Sequence, residues 1–274
     1  MEILSETRTF GGRQRVIRHA SEACDCDMTF AIYLPPQAEL EPVPVLWYLS
    51  GLTCTHENAM TKAGMQRHAA ETGLALVFPD TSPRGDGVAD DDAFDMGKGA
   101  GFYVNATQAP WSAHYRMYDY VTRELAGMVR DGFPVTDRWG ITGHSMGGHG
   151  ALTLAMRNPD LYASVSAFAP IANPTASDWG RKQFAAYLGE DEAAWEGHDA
   201  TKLVAQGGWS HDILIDQGMS DQFLELLRPE AFAEAAVRAR VPMTFRTHAG
   251  YDHSYDFIAS FAEDHVMWAA ERLL

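Results

Sequence analysis

Gly143-His144-Ser145-Met146-Gly147 is a Gly-x-Ser-x-Gly pentapeptide, preceded by Gly140-Ile141-Thr142 and followed by the apolar stretch Ala151–Met156. In a strand-turn-helix context the glycines permit a sharp, strained turn that lifts the serine hydroxyl to the N-terminus of a helix. Such a serine is suited to attack on an acyl carbon, provided that a base removes its proton and hydrogen-bond donors receive the developing oxyanion.

The base and the acid that orients it are expected after the serine, in the order Ser, Asp or Glu, His, on loops at the carboxyl ends of later strands. Ile213-Leu214-Ile215-Asp216 runs into Gln217-Gly218-Met219-Ser220-Asp221, and Met243 to Thr247 runs into His248-Ala249-Gly250-Tyr251-Asp252-His253-Ser254. Two acids compete. Asp221, beyond Gly218, can reach sideways to an imidazole, whereas Asp216 ends its strand and is read as a structural hydrogen-bonding residue. His253, just ahead of the last helix, is the candidate base in preference to His248. His144 and His149 are read as packed histidines. The backbone N–H of Met146 follows the nucleophile and is one oxyanion donor. Leu52, in Ser50-Gly51-Leu52-Thr53 after an earlier central strand, is the candidate for the second.

The elements that must hold these residues follow from hydrophobic runs. Glu2 to Phe10, Arg15 to Arg18 and Thr29 to Leu34 are short and alternating or β-branched, as antiparallel edge strands are. Val45-Leu46-Trp47-Tyr48-Leu49 and Ala75-Leu76-Val77-Phe78 are continuously apolar, as strands covered on both faces are. Helical patterns at Arg116 to Arg130, Gly147 to Arg157, Pro229 to Arg240 and Tyr255 to Leu274 alternate with strands Trp139 to Thr142, Ser164 to Ala169, Ile213 to Asp216 and Met243 to Thr247. That alternation predicts an α/β fold with a mainly parallel sheet between helices. No internal repeat or composition break divides the chain, so residues 1–274 are expected to form one domain. Asp80 to Trp111 has no helical period and holds Phe94, Phe102, Tyr103 and Trp111, which suits a packed functional loop.

Thirty-seven acids against 21 Lys and Arg give a formal charge of −16. Such a field repels phosphate backbones, so no nucleic-acid partner is expected. Asp90-Asp91-Asp92 with Asp95 lacks the spacing of a calcium loop and reads as a solvated acidic segment. No run approaches the ~20 apolar residues of a membrane span, and the start lacks the basic and apolar regions of a secretory signal. Cys24, Cys26 and Cys54 are an odd set, and Cys24-Asp-Cys26 is too tight to staple a fold, so a reducing, cytoplasmic setting is expected.

The chain resembles the S-formylglutathione hydrolase, or esterase D, family of α/β-hydrolases. The blocks that carry the resemblance are Leu49 to Thr55, Gly99 to Ala106, Tyr115 to Tyr118, Gly143 to Gly150, Ile213 to Gly218 and Gly250 to Tyr255. The resemblance implies an α/β-hydrolase fold, Ser145 as nucleophile, Asp221 rather than Asp216 as acid, His253 as base, and Leu52 with Met146 as oxyanion donors. It also implies hydrolysis of the S-formyl thioester of glutathione, releasing formate and the thiol, without metal or organic cofactor. Cys54 matches a family cysteine near the active site and is read as a small buried thiol, not a nucleophile.

Glutathione is anionic, and Lys62, Arg84, Lys98 and Lys182 are the candidate cations for it. The acyl pocket is expected to be closed by bulky neighbours from the Asp80 to Trp111 loop. A homodimer is the expected assembly. Two other readings stand beside this one: a broader short-acyl carboxylesterase or acyltransferase, and, against the intact Ser-Asp-His set, a non-catalytic binding protein of the same fold.

Overall fold

In a computed structural model that describes all 274 residues, the continuous apolar runs form the interior of a nine-stranded sheet. Strands β4 (Val43–Leu49) and β5 (Ala75–Pro79) are buried at every position, which explains why neither alternates. The remaining strands are β1 (Glu2–Thr9), β2 (Gly12–Ser21), β3 (Cys26–Leu34), β6 (Val135–Gly143), β7 (Ser164–Phe168), β8 (Ile213–Gly218) and β9 (Met243–His248). Their spatial order is β1-β2-β3-β5-β4-β6-β7-β8-β9.

The first three strands and the β3–β5 pair are antiparallel, and every pairing from β5 through β4 to β9 is parallel. This is the α/β-hydrolase arrangement expected from the sequence. Only β1 is a true edge among the N-terminal three, and it is exposed along almost its whole length. β2 runs well past the short segment read from Arg15 to Arg18, because its ladders to β1 and β3 extend the pairing through polar positions.

Helix Met146–Arg157 packs on β4, β6 and β7, and the C-terminal helix Tyr255–Leu273 packs on the same strands beside helix Met65–Thr72. One cluster of 73 buried residues runs through the whole chain. Helices that the hydrophobic runs did not single out include His56–Lys62, Met65–Thr72 and Asp178–Leu188. The first is short and polar, and its start is set by Thr55, whose hydroxyl accepts from the Glu57 N–H. The helix at residues 117–132 matches the expected one but contains a π-helical stretch, Tyr120–Leu125.

Asp80 to Trp111 forms no regular element, yet Phe102, Tyr103 and Trp111 are buried. Phe94 is 59% exposed. No helix is long and apolar enough to cross a membrane.

Candidate active site

β6 ends at Gly143, and Ser145 turns the chain into helix Met146–Arg157 with φ 58° and ψ −118°. A non-glycine residue in this region costs on the order of 1–3 kcal/mol, which the surroundings must hold in place. They do so through the backbone: the Ser145 N–H donates to the Phe168 carbonyl at 3.0 Å, and the Ser145 carbonyl accepts from Ile171 and His149 at 3.1 and 2.9 Å. The elbow admits no side chain at Gly147, where a Cβ would stand 1.9 Å from the Leu49 carbonyl oxygen. At Gly51 a Cβ would stand 3.1 Å from that of Ser145, so the loop after β4 passes directly against the serine.

That loop and the elbow line a cavity of about 290 Å³. Leu52, Cys54, His144, Ser145, His253 and Tyr255 are on its wall. The Leu52 N–H donates to no group of the protein. Met146 is the first residue of the elbow helix, where the opening N–H groups lack intrahelical acceptors.

His253 stands between β9 and the C-terminal helix, and its Nδ1 is 2.6 Å from Asp221 Oδ2. Asp221 Oδ2 also accepts from the Gln217 side-chain amide at 3.1 Å, and Oδ1 accepts from the Phe223 N–H at 2.7 Å. The carboxylate is thus fully engaged and its side chain wholly shielded from solvent. A carboxylate on Nδ1 fixes the tautomer that leaves Nε2 free to accept a proton.

Asp216 and His248 lie elsewhere. Asp216 is fully buried and is gripped by the Arg246 guanidinium through Nε at 2.6 Å and through Nη2, with His265 Nε2 at 3.2 Å. Burial pushes its carboxyl up, but the His265 and Arg246 hydrogen bonds outweigh that and hold it well below the usual carboxylate range. His248 Nε2 is 3.3 Å from the same carboxylate. His149 lies inside the elbow helix against Phe102 and Phe184, and burial lowers its pKa to about 4.

His144 is buried, as expected of a packed histidine, and has a further position that its neighbours do not declare. It is on the cavity wall with its ring 4.3 Å from that of His253. Burial, and then the proximity of His253, push its pKa well below the ordinary value, so it adds no positive charge beside the imidazole. Cys54 is 9% exposed, with Sγ 3.8 Å from the Tyr255 hydroxyl, and burial raises its pKa.

The remaining wall is aromatic. Phe94, Trp179 and Phe223 form a row, with ring centroids 6.3 and 5.8 Å apart, that ends 5.1 Å from His253. Only Phe94 comes from the Asp80 to Trp111 connection. Trp179 and Phe223 come from segments far along the chain, so no local pattern could have joined them. The acidic segment also differs from expectation at Asp95. This residue is buried, and its carboxylate accepts from Trp179 Nε1 at 2.7 Å, Lys182 Nζ at 2.7 Å and the Gln183 amide at 3.0 Å.

Three of the four candidate cations are thereby occupied: Lys182 by Asp95, Arg84 by Asp80, and Lys98 at 3.9 Å from Asp90. Lys62 is exposed, with Nζ 5.9 Å from the ring centroid of Tyr255.

Comparison with known proteins bears on this geometry. The Esterase family model matches residues 21–268. The S-formylglutathione hydrolase of Paracoccus denitrificans is 64% identical over 273 residues, covering 99% of this chain and 98% of that relative. The solved structure of an S-formylglutathione hydrolase from Agrobacterium tumefaciens superposes with a TM-score of 0.98 at 52% identity over the full length of both chains. A fluorophosphonate-binding serine hydrolase of Staphylococcus aureus shares the fold alone, with a TM-score of 0.74 at 21% identity, over 94% of this chain and 98% of its own. The chain belongs to the esterase family of α/β-hydrolases that contains the S-formylglutathione hydrolases.

Proposed function

We propose that the chain hydrolyses the thioester of S-formylglutathione to formate and glutathione, with Ser145 as nucleophile, His253 as general base and Asp221 as the group that orients it. His253 takes the Ser145 proton through Nε2 as Oγ attacks the formyl carbon. The resulting imidazolium is stabilised by the Asp221 carboxylate on Nδ1. The N–H groups of Leu52 and Met146 receive the oxyanion. Collapse of the tetrahedral intermediate expels the glutathione sulfur, which takes the proton held on His253 and whose thiol pKa near ~8.5 makes it a good leaving group. The neutral His253 then takes a proton from water as it attacks the formyl-enzyme, and returns that proton to Ser145 Oγ as formate leaves.

The observation that carries this reading is the 2.6 Å His253–Asp221 contact at the edge of the cavity that Ser145 also lines. The substrate is supported by the full-length 64% identity to the Paracoccus enzyme. We further propose that the working form is a cytoplasmic homodimer that binds no nucleic acid. The formal charge of −16 and three free cysteines support the last and the first of these; light scattering on the purified chain tests the dimer.

Ser145→Ala is expected to leave less than about 1% of wild-type kcat on S-formylglutathione, since only binding and oxyanion stabilisation remain. Wild-type-like turnover by a folded Ser145→Ala protein overturns the assignment.

A further inference from the structure

We propose that Arg84, locked by Asp80, is a positioning residue that sets the oxyanion-binding loop Gly51–Cys54, and is not a cation for the anionic substrate. The inference rests on the proposed role of the Leu52 N–H.

The loop is short, and its geometry is imposed from outside. Thr53 has φ 66°, a left-handed conformation that a β-branched residue adopts at a cost. Its N–H donates to the Gly99 carbonyl at 2.9 Å. On one side of Leu52, the Ser50 carbonyl accepts from the Tyr103 hydroxyl at 2.8 Å. On the other, the Cys54 carbonyl accepts from Arg84 Nη2 at 2.8 Å and from the Thr81 hydroxyl. Arg84 is itself fixed, since its Nε sits 2.9 and 3.1 Å from the two oxygens of Asp80, which is 4% exposed. Gly99 lets the two loops touch, because a Cβ there would meet the Thr53 Cα at 3.0 Å.

The connection between Asp80 and Trp111 therefore grips the loop at the Ser50 and Cys54 carbonyls and at the Thr53 N–H. Between these anchors the Thr53 and Cys54 N–H groups are paired, and those of Leu52 and its neighbour Gly51 are left without a protein acceptor. A planar guanidinium is what bridges a carboxylate and a carbonyl at once through different nitrogens; an ammonium at the same place cannot span both with the same geometry. An oxyanion donor loses much of its effect when it drifts by a fraction of an ångström. Slackening the Cys54 anchor should therefore weaken transition-state binding while leaving ground-state binding alone.

The experiment compares wild type, Arg84→Met, Arg84→Lys and Thr81→Val, each checked for folding by circular dichroism and thermal melting. Three quantities are read: kcat and KM for S-formylglutathione, affinity for S-methylglutathione as a ground-state mimic, and inhibition by an aryl trifluoromethyl ketone. The ketone forms a hemiketal oxyanion with the serine.

Arg84→Met is expected to lower kcat by roughly 10- to 100-fold, with KM and S-methylglutathione affinity changed by less than about threefold. Ketone affinity should fall in step with kcat/KM. Arg84→Lys and Thr81→Val should show the same split at smaller size, and they carry the test if Arg84→Met does not fold. Loss of S-methylglutathione affinity with kcat retained would mean that Arg84 binds substrate and overturns the proposal. So would unchanged kcat in every folded variant. Failure of the underlying reading looks different: Ser145→Ala would keep its turnover, or wild type would form no hemiketal.

Discussion

Asp216, inside β8, and Asp221, beyond its end, hold different histidines: Asp221 accepts from His253 at the cavity, while Asp216 is paired with Arg246 of β9 and His265 of the C-terminal helix. The two carboxylates are thus separable by mutation. Asp221→Asn is expected to lower kcat by about 10³- to 10⁴-fold with little change in melting temperature, because an amide on Nδ1 favours the wrong tautomer. Asp216→Asn leaves Arg246 and His265 around a neutral group in a buried site and should cost about 3–5 kcal/mol of stability, with kcat of the folded fraction within a few-fold of wild type. Urea unfolding and steady-state kinetics on both variants check this; the reverse ranking would reassign the acid.

What could be read along the chain was whatever one segment declares by itself. Ser145 announces its elbow because the glycines around it are demanded by backbone contacts within one strand-turn-helix unit. The parallel strands were legible as apolar runs because burial on both faces removes alternation. His144 is buried, as a packed histidine is, but its ring contact with His253 depends on a loop more than a hundred residues away and no local spacing declares it. The aromatic row Phe94, Trp179 and Phe223 was only partly visible for the same reason. Asp95 reads as solvated because its partners Trp179, Lys182 and Gln183 come from a segment more than eighty residues away. Arg84 reads as a candidate substrate cation because its partner Asp80, though only four residues away, lies in a connection without a helical period to declare the pairing.

Lys62 is the remaining candidate for recognition of an anionic substrate, being exposed beside Tyr255 without a carboxylate partner. Its contribution should be electrostatic and screened by salt. Lys62→Glu is expected to raise KM for S-formylglutathione by roughly 3- to 10-fold at low ionic strength, and much less at 0.5 M salt. KM for an uncharged aryl acetate should stay constant. Equal effects on both substrates would point to a packing change around Tyr255 rather than charge.

The buried histidines make stability fall with acid. Burial lowers the His149 pKa from its ordinary value of 6.5 to about 4, so the folded state resists a proton that the unfolded chain accepts. The stability involved is fully present above pH ~6.5 and is lost as the pH falls from there toward about 4, a total of roughly 3 kcal/mol for this group. His149→Gln removes the titration at the cost of imperfect packing. Its melting temperature should lie below wild type at pH 8 and converge toward it at pH 5. Parallel curves across that range would show that His149 takes up its proton without penalty.

Cys54 gives the last prediction, because its thiol sits between the loop that carries Leu52 and the Tyr255 hydroxyl. The thiolate is the species that reacts with alkylating agents, and burial raises the Cys54 pKa above its ordinary value. N-ethylmaleimide and iodoacetamide should therefore inactivate the protein slowly at pH 7, with a rate that keeps climbing above pH ~9, where an unperturbed thiol would level off. The adduct fills a cavity of only about 290 Å³, so its effect should be steric. Cys54→Ala removes the reactive group and leaves the backbone donors in place. It should keep most of its kcat and become resistant to both reagents. Loss of turnover in folded Cys54→Ala would give the thiol a chemical part in the reaction. Full activity after mass spectrometry has confirmed modification at Cys54 would remove the loop from the site, and Leu52 with it as an oxyanion donor.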